Sequence, residues 1–494
     1  MKRYLLYICL MGTSLQAMAT EADSALIEHT ILTREITADA ERNPALHGAA
    51  YHSSFSQLAL GIDMQHQSEA FVQQLGSGYT LPYAGVDTYL RLSPRTAVWG
   101  SASYTTGTQK EVRWNSTSDY ELLQPYVLAD SLGGDTHRER YAFSGGYATT
   151  VGSWLAGAEM LFRAEQEYRD YDPRMRGVVT DLTIRLGAGR QLNSYLLGAA
   201  FECNIYRQTN SVTFYSEEGV IPEYQMTGLG TEYNRFSGDK RSLYYDGGGV
   251  ALLLSAAPAD HNGMYADLML GEHRYQRKLA EYNSMPLTTL YNEQAALTLG
   301  WRNSQWALFA HADYTKRSGD EQIGGTSDAR YFPTIGTLTM YKNQLLDAYL
   351  GAFYSQGSLS MMLRGGYQSC NEKYVYPERQ LNYSRAYGEL KAQWIKATSR
   401  QLSLTVNARA AYEGQLTHKI YMPYANMKSS FIEMVNHTYR YAKANYTHLG
   451  ANVRADYHWS NSPYGAFAKL GADLTLCSVG EHQTTLQGAI GITF

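Results

Sequence analysis

The chain has 494 residues, a formal net charge of −4, 42 Tyr and 44 Gly against 13 Phe and 12 Pro, and four Cys. A near-neutral balance argues against nucleic acid as a partner. The cysteines, Cys9, Cys203, Cys370 and Cys477, are widely spaced and form neither a CxxC nor a Cys/His ligand pattern, so no metal or other cofactor is expected. No segment approaches the ~20 consecutive apolar residues of a spanning helix.

The first element is a leader. Met1-Lys2-Arg3 precedes an apolar run from Tyr4 to Met11, and small residues end in Ala17-Met18-Ala19. A basic start, a short apolar centre and an Ala-x-Ala end predict a secretory signal peptide over 1–19. Residues 20–52 follow as an amino-terminal segment, placed in the periplasm or in a lumen. Ala25, Leu26, Ile27, Ile31 and Leu32 could line a short helix there, and Arg42-Asn43-Pro44-Ala45 reads as a turn before the first strand.

From residue 53 to 494 the pattern is β. Apolar residues alternate with polar or small ones, the period of a strand with one apolar face. Leu346, Ala348, Leu350 and Ala352 form one such stripe, and Leu402, Leu404, Val406 and Ala408 another. The gaps between runs alternate short and long. Eight short gaps fall at 93–95, 151–153, 189–193, 258–262, 302–305, 356–357, 397–400 and 461–463. Eight hairpins and two outermost strands predict 18 strands, or 14 or 16 if weak runs such as Arg140–Thr149 lie outside the wall. The long gaps fall at 65–83, 107–139, 165–177, 207–240, 276–290, 317–340, 371–381 and 414–442, with a last, short outer gap at 478–482. Short periplasmic turns alternating with long extracellular loops is the topology of an all-β transmembrane antiparallel β-barrel. Tyr is read here as a membrane–water anchor and Gly as a turn or close-packing residue. The last run, Thr485–Phe494, alternates cleanly and ends on an aromatic residue. It resembles the insertion signal of outer-membrane barrels, which implies Phe494 as a recognition point for barrel-assembly machinery.

Taken whole, the chain resembles an uncharacterised Bacteroides-type outer-membrane β-barrel family. The carriers are Arg42-Asn43-Pro44-Ala45, the loop Tyr168-Arg169-Asp170-Tyr171-Asp172-Pro173-Arg174, the Tyr-rich strands and Phe494. That resemblance implies a fold and a location in the bacterial outer membrane, in contact with membrane lipid, but no activity. Asn43-Pro44-Ala45 also resembles, more weakly, the amino-terminal segment of fatty-acid-channel-like barrels, which implies a hatch inside the lumen.

If the apolar faces meet lipid, the opposite faces line the lumen. They carry Asp87, Arg91, Glu159, Arg163, Asp181, Arg185, Asp347, Arg364, Arg409, Lys469 and Asp473. Both signs are interleaved, which fits either a salt-bridged interior or a weakly selective solute path rather than a single-sign selectivity ring. His311-x-Asp313 puts two catalytic-type side chains on one face, but no nucleophile is fixed beside them, so no enzyme is expected. Asp119, Asp130 and Asp135 lack a calcium-loop spacing. The apolar loop 120–134 and the Tyr- and Met-rich loops 215–233 and 419–441 either bind a ligand or surface lipoprotein, or fold over the mouth and pack on each other. The expectation is a channel or carrier for a small solute. The alternative is a docking or structural barrel that assembles with surface lipoproteins or another transporter.

Overall fold

The computed structural model describes residues 21–215, 222–236, 242–260, 262–280, 284–326, 332–399, 401–460, 462 and 464–494. The leader expected at 1–19 lies outside the described residues. Eighteen long strands form the wall: β1 Phe55–Gln67, β2 Gly78–Ser93, β3 Thr96–Val112, β4 Gly134–Val151, β5 Trp154–Tyr168, β6 Arg174–Leu192, β7 Tyr195–Thr213, β8 Ser242–Pro258, β9 Gly263–Leu279, β10 Met285–Arg302, β11 Trp306–Gly324, β12 Thr334–Gln356, β13 Leu359–Tyr374, β14 Arg379–Ala397, β15 Leu402–Tyr421, β16 Tyr446–His458, β17 Gly465–Cys477 and β18 His482–Thr493. Neighbours in sequence pair antiparallel, and β18 pairs with β1 from Gln57↔Thr493 to Gln67↔Gln483. The sheet therefore closes with no free edge. Phe494 is part of that seam: its N–H donates to the Ser56 carbonyl at 3.0 Å, and Ser56 N–H donates to the Phe494 carbonyl at 3.1 Å.

The alternation expected from the sequence is realised with the apolar side outward. On β1, Leu58, Leu60, Ile62 and Met64 are exposed, while Gln57 and Asp63 face inward. Leu350 and Leu470 are 70% and 71% exposed on the outer face of their strands. A closed antiparallel barrel with an apolar outer band is the architecture of the bacterial outer membrane, where lipid covers that band. All eight short turns fall at the predicted places, and the weak run 140–149 is wall strand β4.

The strands reach further outward than the apolar pattern does. The gap expected at 371–381, for example, shrinks to the residues between Tyr374 and Arg379. Beyond the bilayer neither face needs to be apolar, so alternation fades while the hydrogen-bonded ladder continues.

Of the two roles expected for glycine, close packing in the wall accounts for many positions outside the turns. Many sit in the strands beneath an inward aromatic ring of the neighbouring strand. A Cβ on Gly351 would lie 2.2 Å from Phe309, on Gly300 2.4 Å from Tyr265, on Gly61 2.5 Å from Tyr83, and on Gly366 2.6 Å from Tyr387. The Gly and Tyr surplus is thus in part a set of ring-on-glycine contacts across the pleat.

Three helices of the amino-terminal segment, α1 Glu21–Thr30, α2 Arg34–Glu41 and α3 Pro44–His47, lie inside the barrel near the short-turn end. Leu32 and Ile36 pack with Tyr265, Phe309, Phe353 and Met362 on the wall. Asn43 is not part of a free turn. Its Oδ1 accepts from Ala45 N–H at 3.0 Å, capping α3, and its Nδ2 donates to the Ala188 carbonyl at 3.2 Å. The wall beneath is glycine because nothing larger fits: a Cβ at Gly157 would lie 2.5 Å from the Pro44–Ala45 backbone, and one at Gly187 2.0 Å from Asn43 Oδ1.

The opposite mouth is closed by loops. The helix α4 Tyr120–Leu123, the helix α5 Ser430–Ala442 and a small sheet from Leu128–Ala129, Tyr224–Gly228 and Thr231–Glu232 enclose an apolar core. Trp114, Tyr126, Leu128, Met226 and Val435 are buried there against wall residues such as Leu279 and Tyr341. The apolar loops fold over the mouth and pack on each other. Parts of the 215–233 loop lie outside the described residues.

Candidate functional site

Between the helical segment and the outer loops the lumen holds charged chambers. Their walls come from the inward positions of adjacent strands. At the outer end of β4 to β6, Glu165 is fully buried and takes three guanidiniums: Arg138 at 3.0 Å, Arg140 at 2.6 Å and Arg163 at 3.1 Å. Burying that carboxylate is tolerable only because it is so paired. Arg163 also reaches Asp181 at 3.2 Å and grips Asp119 through two bonds of 2.7 Å each. Asp119 belongs to the outer loop and precedes α4 with φ of 52°. Burial pushes its carboxyl up, but the Arg163 fork and the Tyr206 hydroxyl, at 3.0 Å, outweigh that and hold it below the ordinary value.

Beside these groups lies a partly open chamber of about 580 Å3, bounded by Gln74, Asp119, Tyr120, Arg138, Arg140, Arg163, Asp181, Asn292 and Arg317 among others. Two further cavities, of about 460 and 240 Å3, lie along β14 to β18 and share Arg409 and Asp473 as common walls. The second of them ends on Leu32 and Glu35 of the amino-terminal segment.

The residues expected to line the lumen are distributed over three charge clusters and single positions. Arg185 bridges Glu159 at 2.9 Å and Glu202 at 2.6 Å, and Arg42 of the amino-terminal segment joins Glu202 at 3.4 Å. Arg163 and Asp181 belong to the large chamber. Arg364 and Arg409 share Glu389 at 2.8 and 2.6 Å, while Glu35 on α2 takes Arg364 at 3.2 Å and Lys391 at 2.7 Å. Asp347 accepts from the Tyr387 hydroxyl at 3.0 Å, and Arg91 donates to the Gly48 carbonyl at 2.9 Å. Asp87, Lys469 and Asp473 occupy inward positions of β2 and β17.

His311 and Asp313 face the lumen but are engaged separately. His311 Nδ1 lies 2.8 Å from the Thr298 hydroxyl, which itself donates to Asp39, while Asp313 accepts from Gln294 at 2.8 Å. The hydroxyl sits between imidazole and carboxylate, so the order of a nucleophile–base–acid relay is absent. Asp119, Asp130 and Asp135 are likewise separate: Asp130 pairs with Arg169, and Asp135 with Lys110 at 2.6 Å. No group of metal-ligating side chains occurs among the described residues. The three cysteines described, Cys203, Cys370 and Cys477, are free thiols.

Arg138, Glu165, Glu167 and Arg317 fall within the long gaps of the sequence pattern, yet they lie on the wall strands. The alternation Arg138-x-Arg140 and Glu165-x-Glu167 was the available signal, because a period of two persists where the ladder does.

No curated protein sequence matches the chain. Among solved structures it is similar to the ferric yersiniabactin uptake receptor FyuA from Yersinia pestis, at 8% identity, with 90% of this chain and 80% of that one covered and a TM-score of 0.46. It is similar also to BauA, the ferric preacinetobactin receptor from Acinetobacter baumannii, at 9% identity, 90% and 80% coverage and a TM-score of 0.43. A third is the ferric citrate transporter FecA in the unliganded form, at 10% identity, 89% and 78% coverage and a TM-score of 0.42. One sequence family matches residues 44–494, from the Pro44 that opens α3 to the terminal aromatic residue, and the chain belongs to it: a family of unknown function, DUF6850.

Proposed function

We propose that this barrel is a gated outer-membrane channel or carrier for a small polar solute. The observation that carries the reading is the series of charged chambers held between a helical hatch and an outer loop core. A purely structural barrel has no need of hollow space lined by guanidiniums and carboxylates at the cost of their desolvation. The amino-terminal segment acts as the hatch, tied to the wall through Glu35, Arg42 and Asn43. Mixed charges along the path predict weak discrimination between small cations and anions. The docking alternative draws less support, since the aromatic loop residues Trp114, Tyr126 and Tyr224 pack inward on one another or on the wall.

The test is conductance in planar bilayers of the full chain and of a variant lacking residues 20–50. The passage along Arg409 and Asp473 ends on the hatch, so its removal is expected to raise conductance at least severalfold. Silence of both proteins, with the folded barrel verified by heat modifiability, would move the assignment to a docking barrel.

A further inference from the structure

Resting on the transport reading, we propose that Glu35 occupies, in the resting barrel, a recognition site for the carboxylate of a small anionic solute. The solute loosens the amino-terminal segment by taking the place of Glu35 on Arg364 and Lys391.

The site is built from neighbouring strands. Arg364 on β13, Lys391 on β14 and Arg409 on β15 form its basic side. Glu389 on β14, 8% exposed, already takes Arg364 at 2.8 Å and Arg409 at 2.6 Å. Asp473 on β17 stands on the wall of the same cavity. Glu35 on α2 adds a further carboxylate. It takes Arg364 at 3.2 Å and the Lys391 ammonium through both oxygens, at 3.0 and 2.7 Å. Glu35 is the one ion-pair partner of Lys391 among the described residues. Lys391 therefore has a paired carboxylate only while α2 is in place, and Arg364 without α2 keeps only Glu389.

Water makes this contact exchangeable. The Glu35 side chain is 40% exposed. With Lys391 it lines the 240 Å3 cavity, which shares Arg409 and Asp473 with the 460 Å3 cavity. An ion pair that water reaches is weakly held. A carboxylate arriving through these cavities offers Arg364 and Lys391 the same charge-assisted bonds. The short tether gives Glu35 an effective concentration on the order of millimolar, so a solute at that level competes.

The other wall contacts of the segment are of a different kind. Asn43 and Ala45 of the α3 seat are each 1% exposed, against glycines that leave no free space. Asp39 meets the Thr298 hydroxyl at 2.7 Å, with the His311 imidazole at 3.8 Å. Leu32 and Ile36 pack on apolar and aromatic side chains, contacts that a dissolved anion does not replace. Hence α3 is the fixed end, and α2 is the end that a carboxylate loosens. The passage so opened keeps charges of both signs and discriminates weakly.

The experiment uses the full chain in detergent micelles, with glutarate as the probe. Glutaramide and putrescine are the neutral and cationic controls. In the unaltered protein, millimolar glutarate is expected to raise hydrogen exchange of the 34–41 amides severalfold and to leave the 43–48 amides unchanged. Neither control should do so. In calorimetric titration, Glu35→Gln is expected to bind glutarate about tenfold more tightly than the unaltered protein, because the internal competitor is gone. Adding Lys391→Gln is expected to abolish that gain. An ion pair with a structural role alone would loosen α2 in Glu35→Gln without creating a glutarate site. That result, an equal response to glutaramide, or exchange that rises equally at 43–48 would overturn the proposal. Should a variant fail to give heat-modifiable barrel, the exchange measurement on the unaltered protein decides alone. The transport reading fails separately. Loosening of α2 by glutarate, in a barrel that stays silent without residues 20–50, would remove transport and leave the site. Conductance raised by that deletion, with no glutarate binding to Glu35→Gln, would remove the site and leave transport.

Discussion

Arg169 and Asp130 form an ion pair of 3.0 Å in which neither side chain is accessible to solvent. Arg169 belongs to the loop between β5 and β6, and Asp130 to the loop that carries α4 across the mouth. The pair is supported: Arg169 also donates to the Pro173 carbonyl at 3.2 Å, and Asp130 accepts from Ser116 at 2.7 Å and from the Gly133 N–H at 2.5 Å. The loop Tyr168–Arg174, one of the carriers of the sequence resemblance, therefore anchors the outer closure through Arg169.

Removing one partner leaves the other charge buried and unpaired, at a cost of about 3–5 kcal/mol. Asp130→Ala is expected to loosen the 113–133 loop while the 18-strand wall persists. Limited proteolysis of protein in micelles checks this. Rapid cleavage within 113–133 with unchanged heat modifiability is the expected result, and an uncut loop would show that the pair does not hold it.

The ring-on-glycine contacts make a second prediction with an internal control. A methyl at Gly351 meets Phe309 at 2.2 Å, while one at Gly388 meets nothing within 4 Å. Both glycines are in wall strands, on β12 and β14. Gly351→Ala is expected to cost about 1–3 kcal/mol from overpacking. Gly388→Ala is expected to be neutral or slightly stabilising. Urea unfolding in lipid vesicles measures both, and equal costs would refute the steric account.

The wall was legible in the sequence and the lumen contents were not, for one physical reason. Lipid forces every outward position in the bilayer to be apolar, so Leu346 to Ala352 or Leu402 to Ala408 announce their face without knowledge of any neighbour. Inside, a charge needs only some partner. Glu165 finds three arginines and Arg169 finds Asp130 from a different loop, and no local pattern encodes such pairings. The amino-terminal segment was half legible. Asn43-Pro44-Ala45 stood out as a motif, but its seat is a row of glycines, Gly157, Gly187 and Gly198, whose role appears only when the strands are side by side.

That asymmetry predicts different tolerances on the two faces. Leu350→Arg puts a charge against lipid and is expected to cost about 2–4 kcal/mol near the midplane. Arg409→Ala removes a half-exposed lumen charge, and Glu389 keeps Arg364 at 2.8 Å. Its expected cost is about 0–1 kcal/mol. Folding yield into vesicles measures both, and the reverse order would show that the faces are misassigned.

The last prediction concerns pH and the outer closure. Asp119 fastens α4 to the wall through Arg163 and Tyr206. In the folded barrel its carboxyl titrates below the ordinary value, because these partners outweigh burial. A folded pKa lower than the unfolded one means that ionised Asp119 stabilises the closure. The contribution is complete above the ordinary aspartate value of about 3.9. It is lost as pH falls through the lower folded value. Hydrogen exchange of the 119–123 amides should therefore be slow and flat from neutral pH to about pH 5 after correction for intrinsic rates. Protection should drop only in stronger acid. Asp119→Asn should show the reduced protection at every pH and lose the acid step. An acid step that survives in this variant would assign the closure's pH response to other carboxylates, with Glu167 and Asp181 of the same chamber the next to replace.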